Sequence, residues 1–102
     1  MLTKYNLTAT IYDKRGRVIS RGENSYWKTH PFQGELSEKY GNGEEIYLHA
    51  EISAIVRLKD WSKAHKILVE RYDRHGNPAL AKPCKLCRKA IEKAGIVLVE
   101  HT

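Results

Sequence analysis

His49 and Glu51 stand two residues apart, and 35 residues after the histidine the run Pro83-Cys84-Lys85-Leu86-Cys87 brings the chain's two cysteines. One imidazole and two thiolates suit borderline-soft Zn²⁺, and three such ligands leave a fourth position for water, as in a catalytic site. A carboxylate held beside that water could take its proton and return it. A C-x-x-C pair alone also reads as a redox dithiol or as half of a structural zinc site. A closed structural site would need a fourth ligand, and with no third cysteine it must be a histidine: His30, His65, His75 and His101 are available. Glu51 is what favours His49 over these. Its plain alternative is an acid placed in a helix's first turn against the dipole.

The elements around these residues must bring them together. Residues 83 to 94 read as a helix opened by Pro83 at its first position and closed by Gly95, which puts Cys84 and Cys87 one turn apart on one face. Their place in the first turn lowers a thiol's pKa through unpaired N–H groups and the helix dipole. Lys82, Lys85, Arg88 and Lys89 add to that field, or simply form a solvated helix face. Ile52, Ile55 and Val56, with Ala54, Leu58 and Trp61 on the adjoining stripe, predict a helix from about 49 to 60. Residues two apart in a continuous helix point to nearly opposite sides, so His49 and Glu51 converge only if His49 lies at or before the first turn.

Taken together, H-x-E at 49–51 and P-C-x-x-C at 83–87 form the signature of zinc nucleobase deaminases. The chain resembles the cytidine and deoxycytidylate deaminase superfamily, most of all the short single-domain deaminases of phage and bacteria. Gly22-Glu23-Asn24-Ser25-Tyr26, Lys28-Thr29-His30-Pro31, His49-Ala50-Glu51 and Ala81-Lys82-Pro83-Cys84 follow in the order such proteins show, so that the likeness spans residues 5 to 101. The resemblance implies zinc held by His49, Cys84 and Cys87, with Glu51 as the catalytic proton carrier. It also implies hydrolysis of the amine on a cytosine ring. Asn24 and the backbone N–H of Ala50 would meet the base or sugar, with His30 and Lys82 as further substrate-binding residues. Asn24 reads equally as a turn residue.

The remaining pattern predicts an α/β fold. Tyr5, Leu7, Ala9 and Ile11 alternate with polar residues, a turn falls at Asp13-Lys14-Arg15-Gly16, and a second strand is expected from Arg17 to Arg21. Glu23 to Tyr47, rich in Gly, Pro and polar residues, is expected to be a loop over the pocket. Ile67 to Tyr72 reads as a strand, and Ile96 to Val99 as a strand buried on both faces. The order β-β-α-β-α-β gives a four-stranded mixed sheet with at least two helices in a single domain, residues 1–102, and the resemblance implies that this is a three-layer cytidine deaminase-like fold. The chain ends at Thr102, short of the C-terminal strand and helix of larger superfamily members. The resulting exposed sheet edge predicts a homo-oligomer.

With 18 Lys and Arg against 12 Asp and Glu the formal charge is +6, which suits an anionic substrate or is simply a generic basic surface; the densest basic group lies between Lys82 and Lys93. No segment reads as a leader or as a membrane span, so the cytoplasm is the expected location, in keeping with two cysteines spaced as ligands. Three classes of function stay open: a cytosine deaminase on a free nucleoside or nucleotide, a cytosine or adenine deaminase on single-stranded DNA or RNA, and an inert zinc-binding module. In the second, Tyr26, Trp27, Phe32 or Tyr40 would stack bases, although aromatic loop residues more often pack on their own core. The intact Glu51 argues against the third.

Overall fold

Asp13 and Gly16 build the first corner. In the computed structural model, which describes residues 7–25, 30–40 and 49–102, Asp13 Oδ1 accepts from the N–H groups of Arg15 and Arg17, both at 2.9 Å. Gly16 adopts φ +80°, a left-handed conformation that costs glycine little. The Arg17 N–H above all, with its guanidinium and the Arg15 N–H, holds the Asp13 carboxyl below the usual carboxylate range. The corner joins strands β1 (Leu7–Tyr12) and β2 (Val18–Glu23) as an antiparallel pair. β2 therefore runs two residues beyond the Arg21 end predicted for it.

Strand β3 (Lys66–Arg71) lies antiparallel to the other side of β1, and β4 (Leu98–His101) lies parallel to β3, giving the order β2-β1-β3-β4. This is the predicted four-stranded mixed sheet. Cross-strand partners Ala9 and Val69, and Ile11 and Ile67, are fully buried and share one face, the seat of the core. Helix α2 (Ala50–Val56) packs on that face across β2 and β1; α3 (Lys85–Lys93) packs on α2, and α1 (Pro31–Tyr40) packs on α3 and α2. The described residues thus supply the sheet and one helical side of the expected layers.

Four expectations need adjustment. The predicted loop from Glu23 to Tyr47 contains α1, which was hidden because two of the three residues on its buried face are polar: Gln33 and Ser37 beside Leu36. The helix expected to reach 60 ends at Val56, because Asp60 accepts from Ser62 N–H and Oγ (3.0 and 2.6 Å) and starts a separate 3₁₀ turn at Trp61–Lys63. Pro83 lies outside α3, whose N-cap is Cys84. The run from Ile96 to Val99 is not a strand buried on both faces: only Ile96 is buried, and β4 starts at Leu98 as the sheet's edge with all four residues exposed. Its hydrophobic content reflects the end of α3 as much as the sheet. Gly95, at φ +75°, donates to Glu92 O, and Ile96 N–H donates back to Ile91 O, a helix closure in which both isoleucines are buried.

Candidate metal centre

His49 has an extended backbone (φ −79°, ψ 153°) and caps α2 without belonging to it, while Glu51 is the helix's second residue. That break in backbone conformation lets two side chains, opposed on a continuous helix, serve one site. Cys84 plays the same part for α3: it is the N-cap (φ −72°, ψ 171°), and its sulfur accepts from Cys87 N–H at 3.5 Å. The approach to Cys84 is held from below by Thr102. Its carbonyl accepts from Ala81 N–H (2.9 Å), and its hydroxyl donates to Ala79 O (2.6 Å) and accepts from Arg71 N–H (3.0 Å).

His49 Nδ1 lies 3.2 Å from Cys87 Sγ and 3.6 Å from Cys84 Sγ, and the three ligand atoms fall within 4.8 Å of one another. Ligands at about 2.0 Å for nitrogen and 2.3 Å for sulfur, set at a tetrahedral angle, stand about 3.5 Å apart, so these separations fit one zinc ion. All five histidines are among the described residues, and His30, His65, His75 and His101 do not join the cluster. A closed Cys/His site is therefore not formed, and both cysteines are free thiols. Cys87 is fully buried, His49 half-buried and Cys84 exposed.

Without metal the two sulfurs share one negative charge. Cys84 is lowered to about 4, first by the proton Cys87 donates to it and then by His49 and the helix N–H, against the cost of its partial burial. Cys87 is pushed up because it keeps that proton, is buried, and faces the Glu51 carboxylate. Glu51 is 4% exposed, and burial raises its pKa, with its own backbone N–H, the Cys87 thiol and His49 pulling the other way. The carboxylate thus sits at the cluster and out of water, not as a solvated first-turn acid.

The other expected site residues are placed as follows. Ala50 is buried at the first position of α2, where a backbone N–H has no partner within the helix. Asn24 folds back on the sheet: its Oδ1 accepts from Leu7 N–H at 2.8 Å and closes the hairpin's open end. His30 caps α1, its Nδ1 accepting from Phe32 N–H at 3.1 Å. Lys82 is exposed two residues before Cys84. Phe32 packs against the core, as the core-packing alternative anticipates, and its ring also meets the exposed Trp61 with centroids 5.9 Å apart. Tyr26, Trp27, Lys28 and Thr29 lie outside the described residues, as does the side chain of Tyr40.

Two residues without an assigned role from the sequence touch the segments that carry the site. Gln33 is fully buried and accepts from His49 N–H through Oε1 at 3.2 Å. Gly22 lies where a Cβ would fall 2.7 Å from Ser53 Cβ and 2.8 Å from Ala50 O, so its lack of a side chain sets how closely α2 approaches β2. Gly22 fell just past the Arg21 end predicted for β2, so it did not read as a strand glycine, and Gln33 carried no signal either.

Comparison with known proteins agrees with this geometry. The cytidine deaminase from Mycobacterium tuberculosis superposes with a TM-score of 0.54 at 22% identity, over 97% of this chain and 68% of that one. A mutant of the same enzyme gives 0.53 at 22%, over 97% and 69%. The cytidine deaminase from Burkholderia pseudomallei gives 0.50 at 17%, over 86% and 57%. At such identities the likeness is one of fold, and this chain spans between about three fifths and two thirds of those proteins. No curated protein matches the sequence. The family model described as the cytidine and deoxycytidylate deaminase zinc-binding region matches residues 2–100. With nearly its whole length matched and an imidazole and two sulfurs gathered at zinc spacing, the chain belongs to the zinc-binding cytidine and deoxycytidylate deaminase family.

Proposed function

We propose that this chain is a hydrolytic deaminase that converts cytosine to uracil in a nucleoside or nucleotide. In this reading His49, Cys84 and Cys87 hold the zinc and Glu51 carries the protons. The observation that supports it most is the buried Glu51 carboxylate facing Cys87 beside the three-ligand cluster. When bound, zinc supplies a water acidified toward neutrality. The carboxylate of Glu51 would take one proton from the attacking water as its oxygen adds to the ring carbon bearing the exocyclic amine. It would pass that proton to the adjacent ring nitrogen, then take the second proton from the hydroxyl newly formed on that carbon and hand it to the departing nitrogen; the hydroxyl oxygen becomes the carbonyl of uracil, the C–N bond breaks and ammonia leaves. Burial raises the Glu51 pKa in the metal-free site, the direction that makes a carboxylate a stronger base. The Ala50 N–H, beside the ligand, and Asn24, at the end of β2, are the groups proposed to hold the base and sugar.

Purified, zinc-loaded protein should release ammonia from cytidine, CMP or dCMP. Inert monomers beside a reactive C-containing oligonucleotide would overturn this substrate assignment. One observation favours that second reading, action on single-stranded nucleic acid. A groove of about 500 Å³ between α3 and β4 starts at Lys85, next to Cys84, and is lined by Arg88, Lys89, Ile91, Ile96 and Val99, with Glu92 paired to Lys89 at 3.5 Å. If a polynucleotide lies there, binding weakens steeply with salt, and Lys85→Glu with Arg88→Glu flattens the log–log slope by about 2. An unchanged slope in a filter-binding titration removes the polymer reading.

A further inference from the structure

The His49 side chain cannot cap its own helix. Its Nδ1 is turned to the two sulfurs, and it makes no side-chain bond to the N–H groups of α2. The N–H of an N-cap residue is commonly met by a Glu or Gln three positions into the helix, completing a capping box. Here that position is Ile52, which has no acceptor to offer. Gln33 supplies one from a different helix, its Oε1 accepting from His49 N–H at 3.2 Å. Gln33 is fully buried and the bond part-buried, so loss of the bond would leave the buried amide without this partner at a desolvation cost. The helix that carries Gln33, α1, packs on α3, which opens at Cys84, as well as on α2, which opens at His49. It therefore touches the supports of both halves of the ligand set.

We propose that Gln33 is a positioning residue for the metal centre: by bonding the main chain of His49 it sets where Nδ1 lies relative to the sulfurs of Cys84 and Cys87. This rests on the reading of His49 as a zinc ligand. Groups that orient a ligand from outside its coordination sphere are worth about 10–100-fold in metal affinity when removed. The backbone bond differs from the usual case, in which the ligand's second ring nitrogen is held, because it restrains the ligand through its Cα.

Cobalt(II) titration of the metal-free protein, followed by thiolate-to-cobalt charge-transfer absorption, tests it. Gln33→Met keeps the volume and removes the acceptor; its cobalt affinity should fall about 10-fold, with a changed absorption envelope. Gln33→Glu keeps an oxygen at the same reach and should stay within about threefold of wild type. Leu36→Ala removes packing from the same buried face of α1 without touching the bond; it should lower Tm and leave cobalt affinity of the folded protein within about twofold. Gln33→Met at wild-type affinity overturns the inference, as does Leu36→Ala weakening cobalt as much as Gln33→Met. If Gln33→Met does not fold, Gln33→Glu decides alone: retained affinity and band shape support the bond, their loss overturns it. A wild-type protein with no charge-transfer band removes the zinc-site reading and this inference with it, whereas an intact wild-type band with unresponsive variants removes this inference only.

Discussion

Glu51→Gln should lower kcat by about 10²–10⁴-fold, the usual worth of a positioned proton carrier, with zinc retained at one per chain by metal analysis. Glutamine keeps the volume and a hydrogen-bonding group but can neither accept the water's proton nor hand one on. Because Glu51 is not among the three clustered ligand atoms, metal content and turnover should separate in this variant, whereas Cys87→Ala should lose both. A Glu51→Gln protein with wild-type turnover, or one that no longer holds zinc, would refute the role given to this carboxylate. The same substitution has a signed effect on stability in the metal-free protein. Burial raises the Glu51 pKa above its ordinary value, so the folded state binds more protons than the unfolded one above the usual carboxylate range. Stability therefore falls as pH rises from that range through the raised pKa. The amide introduced by Glu51→Gln does not titrate, so the metal-free variant should melt above the metal-free wild type at neutral pH, with the difference disappearing as pH falls below the normal carboxylate range. Thermal melts at both pH values check this. Burial of this carboxylate thus costs the metal-free fold stability at neutral pH.

Gly22→Ala should destabilise the fold by about 3 kcal/mol, at the upper end of overpacking costs, and Gly22→Val should leave no cooperative transition in urea. A Cβ at position 22 would meet the backbone N of Ala54, Ser53 Cβ and Ala50 O, none of which is the mobile end of a long side chain. Relief would require α2 to move off β2, breaking the 2.6 Å bond from Ser20 Oγ to Ala54 O and carrying His49 and Glu51 away from α3. Metal affinity should fall together with stability. Gly34→Ala is the matched control: an added Cβ there meets nothing within 4 Å, and alanine inside a helix is favoured over glycine by about 0.5–1 kcal/mol. A Gly22→Ala protein as stable as wild type would show that the β2–α2 contact is not tight in solution.

The chemistry of the site was legible in the residues themselves. Zinc's preference for imidazole and thiolate, the one-turn spacing of Cys84 and Cys87, and the need for His49 to stand outside its helix all follow from residue type and helical geometry, and the three ligands meet as those rules require. The hairpin turn at Asp13–Gly16, the αL closure of α3 at Gly95 and the mixed four-stranded sheet were equally readable, because each is encoded by local chemistry or by short-range periodicity. The boundary of α2 was not, since Leu58 and Trp61 continue its apolar spacing while Asp60 diverts the backbone into a 3₁₀ turn. Nor was the exposure of β4: a run of Ile and Val reads alike at the centre and at the edge of a sheet, and only strand order tells them apart. Helix α1 lay beyond sequence reading for a related reason. Its buried face carries Gln33 and Ser37, whose burial is stable only because partners elsewhere in the fold meet their polar atoms, as His49 N–H meets Gln33. Which residues can bind a metal and move a proton is a property of side-chain chemistry, present in the unfolded chain. How closely α2 approaches β2, and what holds His49 in place, depend on contacts between residues distant in sequence, which exist only once the chain has packed.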